Sequence, residues 1–100
     1  MNIYPPNTFQ IPNIVVDQWL PYLTGSQLIV LIFFIKKSQE LGSYRLEFGF
    51  LELEKLLGLT YRTINQSIKF FVEKGIIKQK IIRRHKTVYE LIPEAFGGDL

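Results

Sequence analysis

Cysteine is absent from the 100-residue chain. That excludes a disulfide framework, an iron–sulfur cluster and any zinc site built on thiolates. Histidine occurs once, as His85, so a site that needs two imidazoles is excluded as well. No apolar run is long: the longest, Leu28 to Ile35, has eight residues, well short of the roughly 20 that a membrane-spanning helix takes. The opening residues, MNIYPPNTFQIP, contain no basic stretch followed by an apolar one, so no secretory signal is read there. Glycine-rich phosphate loops are missing too. Asp17 and Asp99 are far apart, and Glu52 and Glu54 stand two positions apart on a helical stretch, where they point to different sides. The expectation is a cytoplasmic domain with no membrane contact, no enzymatic activity, no cofactor and no metal.

What the chain does have is enough apolar material, 47% of residues against 21% charged, for one packed core in one domain. The net charge of +3 is modest, but it is unevenly spread. Between Tyr61 and Lys86 stand Arg62, Lys69, Lys74, Lys78, Lys80, Arg83, Arg84 and Lys86 against a single acid, Glu73. The remainder holds four basic residues (Lys36, Lys37, Arg45, Lys55) and eight acids. A chain divided in this way presents one positive surface, which suits an anionic partner such as nucleic acid. The same division also fits a solvated face with no partner.

Residues 1–23, with Pro5, Pro6, Pro12 and Pro21, read as an extended amino-terminal arm. A short helix over Ile14–Leu20 is expected to end at Pro21, because proline disfavours a helical residue before it. Thr24-x-x-Gln27 then forms a capping box, with Leu23 and Leu28 as the hydrophobic staple around it, and Gly42 closes the helix it opens. That helix is apolar all round from Leu28 to Ile35, so it should be covered on more than one side. Tyr44–Phe48 alternates like a short strand. Phe50–Leu57 reads as a two-turn helix with Leu53, Leu56 and Leu57 facing inward, closed by Gly58. Thr60 caps the next helix, which runs to Lys74 and buries Ile64, Ile68 and Phe71 at four- and three-residue spacing. Gly75 stops it, and Ile76 packs back on Phe71. Two β-prone runs, Ile76–Ile82 and Thr87–Ile92, are joined by the basic turn Arg83–Lys86. After Pro93 the pattern dissolves, so residues 94–100 read as a flexible tail and residues 24–93 as the folded domain.

Two helices across Gly58-Leu59-Thr60 have the form of a helix-turn-helix, and the hairpin beyond them makes the unit a winged helix. The fold expected is therefore α+β: three helices plus a carboxy-terminal β-hairpin wing, with the arm in front. Phe9–Asn13 (FQIPN), Leu20–Leu31 (LPYLTGSQLIVL), Leu41–Tyr44 (LGSY) and Leu53–Ile77 (LEKLLGLTYRTINQSIKFFVEKGII) resemble the winged-helix domains of bacterial and phage replication initiators, of the DnaD amino-terminal and phage protein O type. The likeness runs from about Phe9 to Pro93. Its helix-turn-helix portion is shared with many transcriptional regulators, and the IPN arm with the LTGSQ helix start is what points to replication. One departure is Glu54, which stands where the family has a small residue facing the partner helix. The resemblance implies DNA replication initiation, with other replication proteins as partners.

The residues themselves make a separate case for DNA. With Ile64, Ile68 and Phe71 inward, helical geometry turns Tyr61, Arg62, Asn65, Gln66 and Lys69 outward. Arginine matches guanine, asparagine and glutamine match adenine, and lysine matches phosphate. Lys78, Lys80, Arg83, Arg84, His85 and Lys86 on the hairpin suit backbone contacts. An oligomer interface is expected at Phe9, Ile11, Ile14, Trp19, Ile29 and Phe33, since so apolar a helix wants a cover and a second copy can supply one. Two other functions share the same fold: a transcriptional regulator, and a self-association or protein-interaction module that does not bind DNA.

Overall fold

The computed structural model describes residues 9–83, 86–98 and 100. Its elements are α1 (Gly25–Leu41), β1 (Arg45–Phe48), α2 (Phe50–Leu57), α3 (Tyr61–Glu73), β2 (Ile77–Arg83) and β3 (Lys86–Leu91), an α+β arrangement. The strands form one antiparallel sheet in the order β1-β3-β2. Leu46 pairs with Tyr89 and Gln79 pairs with Tyr89 from the other side, so β3 is the central strand. Leu46, Phe48, Tyr89, Leu91 and Ile77 point to the inner face, which closes over the helices.

Helix α1 starts as its sequence dictates. The Thr24 hydroxyl accepts from the Gln27 backbone N at 3.2 Å, and the Gln27 side chain accepts from the Thr24 backbone N at 2.9 Å. At its other end Gly42 adopts φ +65°, a left-handed cap that costs a residue with a Cβ far more. Val30, Leu31, Phe34 and Ile35 are fully buried, and the inner layer they build holds Phe34 against Phe48 and Tyr89. The described arm residues Phe9, Ile11, Ile14 and Trp19 pack on this same core, as does Phe33 of α1. The Gln10 backbone N donates to Gln39 Oε1 at 2.9 Å, tying the arm to α1. Cover for the apolar helix thus comes in large part from its own chain.

Three sequence expectations are corrected. Pro21 does not end a helix. Val15–Trp19 forms a wide helical turn and Leu20–Tyr22 a tight one, with Pro21 in its first positions and Leu20 helical at φ −51°, ψ −43°. A proline near the start of a turn gives up no needed hydrogen bond, because that N–H is unpaired anyway. The helix expected over Ile14–Leu20 is thus present, as a wide turn, and the helical path runs on through Pro21 instead of ending before it. Secondly, Leu56 is 51% exposed, whereas Leu53 is buried. Leu53 and Leu57 lie one turn apart and carry the inner stripe of so short a helix, while Leu56 falls to one side. Thirdly, residues 94–100 are not a loose tail where they are described. Pro93–Phe96 forms a tight helical turn with Phe96 fully buried, its ring 5.1 Å from that of Trp19. Gly97, at φ +67°, caps that turn, and the Tyr44 hydroxyl donates to the Leu100 carbonyl at 3.0 Å. The folded unit therefore reaches past both of the expected boundaries.

Candidate nucleic-acid interface

Helix α3 is amphipathic, with a sharp division between its faces. Thr60 accepts from the Thr63 backbone N at 3.3 Å and fixes the first turn. Ile64, Ser67, Ile68 and Phe71 are buried, and the Ser67 hydroxyl is satisfied by donating to the Thr63 carbonyl at 3.0 Å. Tyr61, Arg62, Asn65, Gln66 and Lys69 are exposed together on the opposite side, as the spacing requires. Tyr61 is only partly free, since its ring meets that of Phe50 at 4.9 Å and braces the start of α3 against α2. At the far end the Ile76 N donates to the Phe71 carbonyl at 2.9 Å and the Gly75 N to the Val72 carbonyl at 3.1 Å. That pairing is a Schellman closure, made possible by Gly75 at φ +72°.

The hairpin leaves this cap at once. Strand β2 is buried only at Ile77, and its remaining residues are exposed. Arg83 pairs with Lys86, so both belong to the strands rather than to the turn, and the register slips between Ile81 and Arg83. A bulge of this kind bends and twists the ribbon and so re-aims its basic end. Arg84 and His85 lie outside the described residues. Lys78 stands opposite Glu90, which in turn stands opposite Arg45, and Lys80 shares a row with Val88 and Glu47. These rows form the outer face of the sheet, where cations and carboxylates are mixed. Lys86 is engaged as well, with its Nζ 3.1 Å from Glu47 Oε2 in an exposed ion pair.

Tyr89 lies buried on the inner face of the central strand, its ring 5.2 Å from that of Phe34. Burial holds its hydroxyl above the ordinary tyrosine range, hydrogen bonding with Thr87 offsets part of that rise, Tyr61 adds to it, and hydrogen bonding with Gln79 again opposes it. Of the expected site residues that are described, the α3 set is brought together, Lys78, Lys80, Arg83 and Lys86 line an adjoining strand pair, and Lys86 is partly neutralised.

Sequence reasoning missed Arg45 and Glu47 as members of this surface. The alternation of Tyr44–Phe48 puts both on one side of a strand, but only the pairing with β3 places them beside Lys78, Lys80 and Lys86. Of the residues expected at an oligomer interface, Phe9, Ile11, Ile14, Trp19 and Phe33 lie against this chain's own core, and Ile29 is 46% exposed. Among the described residues no three His, Cys, Asp or Glu side chains are grouped to hold a metal ion, and no helix is long and apolar enough to cross a membrane. No family model, curated protein or solved structure matches the chain.

Proposed function

We propose that the chain is a winged-helix protein that binds duplex DNA, with α3 in the major groove and the β2–β3 ribbon along the phosphate backbone. The observation that carries this reading is the two-sided α3. A stripe of Arg62, Asn65, Gln66 and Lys69 is exposed, and behind it a buried stripe locks the helix in place. Arg62 and Asn65 fall in its first turns, the part of a recognition helix that reaches base edges. Arg83 and Lys86 sit at the described end of the ribbon, where phosphate contacts give affinity without sequence preference. The resemblance at Phe9–Asn13 and Leu20–Leu31 favours replication initiation over transcription control as the process. Isotope-edited amide spectra during titration with a duplex test the docking. Shifts confined to residues 61–69 and the ribbon support it, and shifts spread evenly over α1 and the arm refute it.

A second reading, self-association, is favoured by the exposed apolar side chains of Val16, Leu20 and Ile29 on the arm and α1. It predicts a dimer or larger oligomer by sedimentation at micromolar concentration. A monomer there would confine the role of the arm to its own chain.

A further inference from the structure

Strand β2 lies at the edge of the sheet, paired with β3 on one side alone. Near its end two neighbouring isoleucines stand in the open, Ile81 at 71% exposure and Ile82 at 46%. The ribbon outruns the core here, since Ile77 is the one buried residue of β2. Ile81 pairs with Thr87 and Arg83 with Lys86, so Ile82 is the extra residue of the bulge, which re-aims the side chains around it. Thr87 also pairs with Phe48, so Ile81 stands on the side of the sheet that closes over the helices, opposite to Glu47 and Glu90. Exposed β-branched side chains on an open edge attract contacts. Their basic neighbours, Lys80 and Arg83, restrict what those contacts can be.

We propose that Ile81 and Ile82 form an apolar wedge that enters the minor groove of the bound duplex, parts one base step and kinks the DNA. The wedge rests on the duplex reading and adds to it the groove that the ribbon enters and the deformation it imposes. Charge disfavours the other occupants. A second copy would set Lys78, Lys80, Arg83 and Lys86 against the same cations. An apolar protein surface would bury Lys80 and Arg83 without partners. A flat bilayer does not reach the side of the sheet that looks toward the helices. A polyanion meets both requirements, apolar between and cationic at the borders. Lys80 and Arg83 are three residues apart, about 10 Å of extended strand, enough to straddle a minor groove roughly 6 Å wide and reach the phosphates on both sides of it. Isoleucine is among the side chains that part base steps from this groove, with kinks of about 20–90°. Pyrimidine–purine steps unstack most readily, so a TA step is the expected point of entry.

The full chain is titrated into a duplex that carries 2-aminopurine in place of the adenine of a central TA step, and into the same duplex labelled at its ends with a dye pair. Anisotropy reads binding, 2-aminopurine brightening reads unstacking, and energy transfer between the ends reads bending. The wild-type chain should raise all three signals. A variant carrying Ile81→Thr and Ile82→Thr keeps β-branched residues at exposed positions, so its fold should survive, as a thermal melt checks. It should still raise the anisotropy, with the brightening and the gain in energy transfer lost. Wild-type binding without brightening or bending overturns the wedge and leaves the duplex reading standing, whatever the variant does. Retention of both signals by the folded variant overturns it as well. No anisotropy change with the wild-type chain removes the duplex reading and the wedge together. Phosphatidylserine vesicles that sediment the wild-type chain but not the variant would assign the isoleucines to a membrane, and a dimer lost in the variant would assign them to a second copy. Either result overturns the proposal.

Discussion

Arg62 and Asn65 are the side chains on which sequence selectivity depends in this account. Each stands exposed on α3 without supporting the core, so truncation to alanine should leave the fold intact, as a thermal melt can check. On a preferred duplex either change should cost on the order of 1–3 kcal/mol, and on random duplex much less. Glu47 acts in the opposite sense. Its carboxylate holds Lys86 at 3.1 Å and competes there with any phosphate. Glu47→Gln should therefore tighten binding to random duplex, by roughly threefold on the scale of an exposed pair, and a titration in parallel with the wild-type chain would expose the opposite result. Tyr89 gives a pH signature. Its hydroxyl is held neutral by burial, so its folded-state pKa lies above the unfolded value of about 10. Its contribution to stability is fully present below that unfolded value and is lost as pH rises through the folded one. Denaturation of wild type and Tyr89→Phe across that window should show the wild-type chain losing stability more steeply.

The caps and stripes were legible because they are local. Thr24 with Gln27, Thr60, Gly42 and Gly75 each act within about one turn, and the Ile64–Ile68–Phe71 stripe is set by helical period alone. Gly75→Ala should cost about 1 kcal/mol or more, since the closure of α3 needs a positive φ there, and equilibrium urea unfolding would measure it. Elements whose form depends on distant partners were not legible. Leu56 faced inward on composition, but α2 is only two turns long and packs through Leu53 and Leu57. The helical turns around Pro21 owe their place to Trp19 meeting Phe96 at the far end of the chain, a contact that no local pattern encodes. The bulge between Ile81 and Arg83 depends on strand register, and so does the pairing of Lys86 with Glu47. The α3 stripe of the candidate site could thus be read from sequence, and the electrostatics of the ribbon could not.

Described residues on both sides of the expected domain, among them Phe9, Ile11, Trp19 and Phe96, belong to the fold. Phe96 fills the core against Trp19, so Phe96→Ala should cost about 3–5 kcal/mol, a large part of the roughly 5–15 kcal/mol that holds a domain of this size. Denaturant unfolding checks this, and a loss below about 1 kcal/mol would mean the carboxy-terminal turn is dispensable. The described basic residues between Arg62 and Lys86 are all exposed, in a chain whose other residues are net acidic, and this asymmetry adds to the two-sided α3 in support of the DNA reading. Its most direct test is the salt dependence of binding to a labelled random duplex, read by fluorescence anisotropy for the wild-type chain and for a variant with Arg83, Arg84 and Lys86 replaced by alanine. Wild-type binding should be measurable, with a steep log–log slope. The variant should bind more weakly, with a slope shallower by roughly 0.9 for each phosphate it no longer neutralises. Equal affinity and slope in the two proteins, or no binding by the wild-type chain at low salt, would contradict it.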